Sequence, residues 1–333
     1  MKVTYFQRKP RPGFNFSIEQ IFDRIRKELA GQVEARIVYS SRYNTGYWAK
    51  LINVLQARKE FDQGIQHITG EVHYLNLLLP KKKVVLTIHD CGMVKRKKGL
   101  ARQFVNWLYL KAPVANAAIV TTVSQKTKEE VLGYTGCDPQ KIRVIPNPIG
   151  PQYQPYPKAF NTSCPNILQI GTASNKNLER LIPALEGISC TLTIVGKLNE
   201  NQVSLLKTFG IAYTHASNIS DDALLECYKT CDILAFVSTF EGFGMPIVEA
   251  NMIERVVITS SVSSMPEVAH DAACLVDPYD VEAIRKGLNR IIQDRFYREQ
   301  LIINGRENAL RFNARTIAQH YLQVYQSLTR EVV

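Results

Sequence analysis

The chain has 333 residues, 45% hydrophobic and 21% charged, with a net charge of +11. That composition excludes a low-complexity or disordered chain, and no apolar run reaches the eighteen or so residues that a membrane span requires. Seven scattered cysteines without a C-x-x-C pair point away from a disulfide framework and toward a reducing compartment.

Two α/β domains are the natural expectation at this length, and charge divides them. Residues 1–150 hold 25 Lys and Arg against 11 Asp and Glu, a balance of +14, and the remainder holds 16 against 19, a balance of −3. One half is strongly cationic and the other mildly anionic.

The first apolar stretch, residues 3–6, reads as a strand, and the segment Met1–Arg8 has too short an apolar part for a signal peptide. Further strand-length runs follow at 35–39, 65–69, 84–88, 117–122 and 142–145, separated by helical stretches. Alternation of this kind predicts a parallel sheet with helices on both faces. Ligands of such sheets bind beyond the carboxyl ends of the strands. That rule makes His89 and Asp90, at the end of the fourth strand, candidates for a site, with Ser124 a weaker one. Asp90 has a second reading as a cap of the turn at Cys91 and Gly92.

Between these strands lies the densest basic segment, Lys95 to Lys111, preceded by Lys81, Lys82 and Lys83. From Leu100 onward it can be helical, with Phe104, Trp107, Leu108 and Lys111 three or four residues apart. Three readings stand side by side: a core-facing helix behind a solvated basic loop, a contact with an anionic membrane or acceptor, and a nucleic-acid patch. The last lacks a recognition-helix pattern, zinc ligands and interleaved aromatics, so no nucleic-acid partner is expected.

Residues 146–157 hold five prolines in twelve. They cannot continue a helix or a central strand, and they read as the linker between domains. Six more strand-length runs follow, at 166–170, 191–195, 211–214, 233–237, 256–259 and 273–276. The first ends in Gly171-Thr172-Ala173-Ser174-Asn175-Lys176-Asn177, where the glycine permits a turn and Lys176 can neutralise a growing phosphate charge. Lys197, after the next strand, offers a second cation. Residues 316–328 are a terminal amphipathic helix, with Ile317, Tyr321, Val324 and Leu328 at helical spacing.

The most informative stretch is 238–249, Ser-Thr-Phe-Glu-Gly-Phe-Gly-Met-Pro-Ile-Val-Glu. Glu241 falls on the loop after the strand at 233–237. Pro246 suits a first helical turn, which sets Glu249 about one turn into a helix. The first amides of that helix lack internal partners and suit an anionic or hydroxyl-bearing ligand.

This stretch resembles the E-x7-E motif of retaining glycosyltransferases of family GT4, group 1. The resemblance continues through Val256-Val257-Ile258-Thr259-Ser260, Ser264-Met265-Pro266-Glu267-Val268 and Ala273-Cys274-Leu275-Val276-Asp277-Pro278. It includes Asn147-Pro148 and Asn175-Lys176-Asn177, and it covers roughly residues 80–325. It implies the GT-B fold: two Rossmann-like doubly wound domains with a cleft between them, and a last helix crossing back to the first. The expected domains are 1–150 for the acceptor and 151–315 for the nucleotide sugar, with 316–333 as that terminal helix.

The resemblance assigns His89 and Glu241 to the reacting sugar and Glu249 to the ribose hydroxyls. The amides of Gly242, Phe243 and Gly244, with Met245 beside them, would assist the donor. Gly171, Thr172, Lys176 and Lys197 would serve the diphosphate, and the segment at Ile219 the base. Gly13 and Asp90 belong to the acceptor side. Two departures from the family pattern stand out. Thr172 replaces a frequent arginine, and Arg8, Lys9 and Arg11 stand where members carry a glycine-rich loop, as if for an anionic acceptor. No Asp-x-Asp pair is present to carry a metal. The expectation is a metal-independent, retaining transfer from a nucleotide-diphosphate sugar to a glycan or lipid-linked acceptor, without a cofactor. It fits polysaccharide biosynthesis in the cytoplasm, with peripheral contact at the inner membrane face. A non-catalytic nucleotide-sugar or glycan-binding relative of the same fold is the alternative. A dinucleotide-binding oxidoreductase is disfavoured because no G-x-G-x-x-G turn occurs.

Overall fold

In the computed structural model, residues 1–10 and 17–330 are described. The chain forms two compact units, one of residues 1–148 with 314–333 and one of residues 149–313.

The first unit is built on a parallel sheet of six strands, β1 (Lys2–Gln7), β2 (Glu34–Tyr39), β3 (Ile65–Ile68), β4 (Val84–Ile88), β5 (Ile119–Thr122) and β6 (Ile142–Val144), in the order β2-β1-β3-β4-β5-β6. Strands β4 and β5 read as unbroken apolar or threonine runs because helices cover both faces; β4, for example, is buried throughout. The order reverses between β1 and β3, the position where doubly wound sheets open a crevice. The terminal helix Ala314–Arg330 packs on the helix Ser17–Glu28 of the same unit, burying Ile317, Tyr321, Tyr325 and Leu328 beside Tyr5 and Phe22.

That packing leaves polar atoms deep inside, and they satisfy one another. His67 of β3 meets the Tyr325 hydroxyl at Nδ1 and Thr87 Oγ1 at Nε2, each at 2.7 Å. Thr87 continues to Thr121 on β5 at 2.6 Å, and the Tyr325 hydroxyl donates to that of Tyr5 at 3.3 Å. A buried histidine that trades water for hydroxyl partners stays neutral, and burial pushes the His67 pKa down to about 3.

The second unit repeats the plan: β7 (Asn166–Ile170), β8 (Thr191–Val195), β9 (Tyr213–Ala216), β10 (Ile233–Phe236), β11 (Val256–Ser260) and β12 (Cys274–Val276), parallel in the order β12-β11-β10-β7-β8-β9. The reversal here lies between β7 and β10. All twelve strand-length runs form strands. The largest displacement is at β9, two residues later than the apolar pattern indicates. It is a largely exposed edge strand, while Ile211, which suggested an earlier start, packs against the core ahead of it.

The basic segment resolves into a helix Gly99–Asn106, a wider π-turn Trp107–Lys111 and a short helix Ala112–Ala115. The single 3.6-residue face expected there is therefore interrupted. Tyr109 and Leu110 are buried, whereas Phe104 and Trp107 stay exposed. Among the described residues, no helix is long and apolar enough to cross a membrane.

Candidate functional site

In the second unit the two loops that leave the sheet at its reversal point carry the residues singled out above. After β7 the backbone turns at Gly171, with φ at +88°. A side-chain carbon there would come within 2.9 Å of the Lys176 stem, so glycine both permits the left-handed turn and leaves room for Lys176. The Lys176 ammonium lies 4.7 Å from the Phe236 ring centre and 2.7 Å from Glu241 Oε1. Asn175 donates to the Phe240 carbonyl at 3.0 Å and to Glu241 Oε1 at 3.3 Å, and the Thr239 amide donates to the Asn175 carbonyl at 2.8 Å. The β7 and β10 loops are thus held to each other by backbone, amide and charge.

The Glu241 loop is tied from its other side as well. Ser263 Oγ donates to the Glu241 carbonyl at 2.8 Å, and Ser264 Oγ to the Phe243 carbonyl at 2.7 Å. In a trans peptide the amide points opposite to the carbonyl, so the amides of Gly242 and Gly244 are turned away from these serines. Gly244 takes φ of +114° and caps the helix Met245–Met252, with Pro246 in its first turn. Glu249 is the fifth residue of that helix, one turn in. Its Oε2 accepts a hydrogen bond from the buried Tyr228 hydroxyl at 2.6 Å. Burial and the adjacent Glu249 carboxylate raise the Tyr228 pKa well above the usual phenol range, so that hydroxyl remains a donor.

Thr172 is committed to scaffolding. Its hydroxyl donates to the Lys197 carbonyl at 2.7 Å, and its carbonyl accepts from Gln202 Nε2 at 2.8 Å. It fixes the backbone of Lys197, whose side chain is exposed. Ile219 is half-buried in the loop after β9, between Asn218 at φ +56° and Ser220, which caps the next helix.

In the first unit, a cleft beyond the strand ends is lined by Glu71, His73, His89, Asp90, Arg96 and Tyr109, together with apolar neighbours. His89 Nε2 faces the Thr69 carbonyl at 3.2 Å. A carbonyl only accepts, so Nε2 carries the proton and Nδ1 is left with its lone pair. Burial of the ring pushes its pKa down to about 4. Asp90 is exposed, and its Oδ1 accepts from the Gly92 amide at 2.6 Å, the turn-capping role foreseen as its second reading. Ser124 likewise caps a helix, accepting from the Thr127 amide at 3.0 Å.

The basic residues expected beside the acceptor are partly engaged. Arg8 pairs with Glu19 at 2.7 Å and Glu71 at 3.1 Å, and Lys9 lies over the Tyr43 ring at 4.9 Å. Gly13 and Arg11 lie outside the described residues. Sequence reasoning missed Tyr228, and it did not read Ser263, Ser264 and Gln202 as supports. These act on carbonyls or on groups distant in sequence, and no local pattern marks them.

Comparison with known proteins follows the same division. The model of glycosyl transferases group 1 matches residues 157–308, and that of Glycosyltransferase Family 4 matches residues 18–153. The serotype-specific mannosyltransferase WbdA of Escherichia coli is 24% identical over 245 residues, covering 65% of this chain and 30% of that protein. The chain thus spans under a third of that relative's length. The MMP alpha-(1->4)-mannosyltransferase of Mycolicibacterium hassiacum is 26% identical over 256 residues, covering 72% of this chain and 58% of that one. Among solved structures, sucrose-phosphate synthase of Thermosynechococcus elongatus aligns with a TM-score of 0.80 at 19% identity, over 99% of both chains. Anabaena HepE in complex with UDP-glucose aligns at 0.79 and 16% identity, over 98% of this chain and all of that one. These likenesses establish the GT-B fold.

Proposed function

The chain belongs to the group 1, family 4 glycosyltransferases, and from that premise we propose that it moves a sugar, with retention of configuration, from a nucleotide-diphosphate sugar to a glycan or lipid-linked acceptor. The observation that carries this reading is the Lys176–Glu241 pair, 2.7 Å apart at the reversal point of the second sheet. A carboxylate suited to sugar hydroxyls stands next to a cation suited to the departing diphosphate. Glu249, supported by Tyr228 and one turn into the following helix, would take the ribose hydroxyls.

In the proposed step the bond between the anomeric carbon and the diphosphate oxygen breaks, and negative charge grows on the phosphate. Lys176 stabilises that charge. The acceptor hydroxyl oxygen forms its bond on the same face, and its proton passes to the departing phosphate oxygen. No protein nucleophile is needed. In the first unit, neutral His89 offers its Nδ1 lone pair to a sugar hydroxyl. With no Asp-x-Asp pair in the sequence, the charge of the diphosphate falls to lysines, and we propose a metal-independent reaction on the cytoplasmic side of a membrane. The named mannosyltransferase relatives and the UDP-glucose complex make UDP- and GDP-linked hexoses the donors to test first.

The test is thermal stability against UDP, GDP, ADP and their sugars, with and without chelator, followed by transfer assays on the Glu241→Ala variant. Selective stabilisation by one nucleotide, indifferent to chelator, with transfer abolished in a folded variant, is the expected result. Wild-type turnover by Glu241→Ala would sink the site. A nucleotide that binds without any transfer would favour the non-catalytic relative, and an inverted product would overturn retention.

A further inference from the structure

We infer that the first unit docks on an anionic lipid surface through two neighbouring helices, Tyr47–Lys59 and Gly99–Asn106, the second extended by its π-turn. A surface helix normally turns polar residues outward. The helix Tyr47–Lys59 instead buries Asn53, Val54 and Ala57 and exposes Trp48, Leu51 and Leu55, at spacings of three and four. Trp48 is 80% exposed. The second helix repeats the pattern, with Leu100, Phe104 and Trp107 outward and Leu100 82% exposed. The Tyr47 and Phe104 rings meet at 5.8 Å and join the two stripes into one face.

Along the segments that carry this face the charge has one sign, and Glu60, which caps the first helix, is paired with Arg36. Residues 41–59 hold four basic and no acidic residues, and residues 91–111 hold six basic and none acidic. Arg96, Lys97 and Lys98 lie directly before the second helix, and Lys111 lies one turn after Trp107. Within the basic run Lys95 is bound by Glu130; among the described residues no ion pair engages the three that follow it. An apolar aromatic stripe among unpaired cations matches the boundary between acyl chains and anionic headgroups. There tryptophan rings settle at the interface, and each lysine or arginine adds attraction. A second copy of the chain would oppose cations to cations, and a nucleic acid would leave the leucines without a partner. The surface stands on these exposed side chains alone, independently of the transfer reaction.

The chain contains two tryptophans, Trp48 and Trp107, and both lie in this face. The intrinsic emission of the unmodified protein therefore reports directly on docking. With vesicles of phosphatidylglycerol and phosphatidylcholine, the emission is expected to shift blue and to be quenched by brominated acyl chains. Pure phosphatidylcholine should leave it unchanged, and high salt should weaken the effect about tenfold or more. Leu51→Gln with Leu55→Gln, and separately Arg96→Gln with Lys97→Gln and Lys98→Gln, should each reduce vesicle partition about tenfold or more. Because these residues are exposed, the melting temperature should not move. Emission that ignores anionic vesicles would overturn the inference. So would equal response to neutral vesicles, a shift driven by protein concentration alone, or a shift produced by a single-stranded oligonucleotide instead of lipid. Loss of sugar transfer with vesicle docking intact would count only against the catalytic reading.

Discussion

Lys176 Nζ stands 2.7 Å from Glu241 Oε1, although the two residues are 65 positions apart in the chain. Each was expected to serve a different part of the donor, and in the structure each is also the other's partner. Both side chains are only partly exposed, so the pair holds the loops in place and keeps each charge compensated. A bound donor would supply new partners to both: hydroxyls to the carboxylate and a diphosphate to the ammonium.

Lys176→Met keeps the aliphatic stem and removes the charge. If the ammonium acts mainly on the leaving diphosphate, kcat should fall about 100- to 1000-fold, corresponding to about 3–4 kcal/mol of transition-state stabilisation. KM should move much less, and Lys176→Arg should recover part of the loss. Steady-state kinetics with the identified donor checks this, and an unchanged kcat would remove Lys176 from the chemistry.

Gly171→Ala should act through Lys176, because the new methyl group would press on its stem. Its left-handed backbone also costs an alanine about 1 kcal/mol. Gly187 provides the control, with φ of +78° and no atom within 4 Å of an added carbon. Both variants should lose a similar few degrees of melting temperature, and only Gly171→Ala should lose transfer activity. Equal activity in the two would show that the stem's position is immaterial.

Tyr228→Phe removes the hydrogen bond to Glu249 and keeps the ring that packs edge-on against Tyr153 at 5.7 Å. Glu249 then loses the donor that orients it. Nucleotide affinity should weaken about tenfold or more, in line with about 1.5–3 kcal/mol for a hydrogen bond to a charged group. Titration calorimetry with the free nucleoside diphosphate measures this without catalysis. Unaltered affinity would detach Glu249 from the nucleotide.

Stability should fall on acidification because of His67. Its folded pKa of about 3 lies below the 6.5 of the exposed ring. Between those values the unfolded chain binds the proton and the folded one does not. The stabilising contribution is complete above about pH 6.5 and is lost as pH falls toward 3, at about 1 kcal/mol per pH unit. His89 adds in the same direction between 6.5 and about 4. Denaturant melts of the wild type and of His67→Gln at pH 7 and pH 5 should converge at the lower pH. Parallel decline in the two would assign the acid sensitivity elsewhere.

Much of the architecture was legible because buried parallel strands leave unbroken apolar runs, as at 84–88 and 166–170. The E-x7-E stretch likewise announced its own strand, loop and helix. Where the sequence was opaque, the cause was geometric. Tyr228 reaches Glu249 from another helix, and Ser263 and Ser264 grip carbonyls that any residue would present. In the helix Tyr47–Lys59 both faces carry apolar residues, so periodicity could not tell the inward side from the outward one. The π-turn at Trp107–Lys111 broke a face that regular spacing had drawn as continuous.

The closing helix Ala314–Arg330 also dictates an order of assembly. Residues 149–313 are contiguous and can fold as soon as they leave the ribosome. The first unit, although synthesised earlier, must wait for Tyr321 and Tyr325 to cover Tyr5, Phe22 and His67. Until then one wall of its sheet is incomplete, with only the helix Ser17–Glu28 in place, and this long-range closure should be the slow step of refolding. A nascent chain halted before residue 314 should therefore depend on chaperones in its first unit and be self-sufficient in its second.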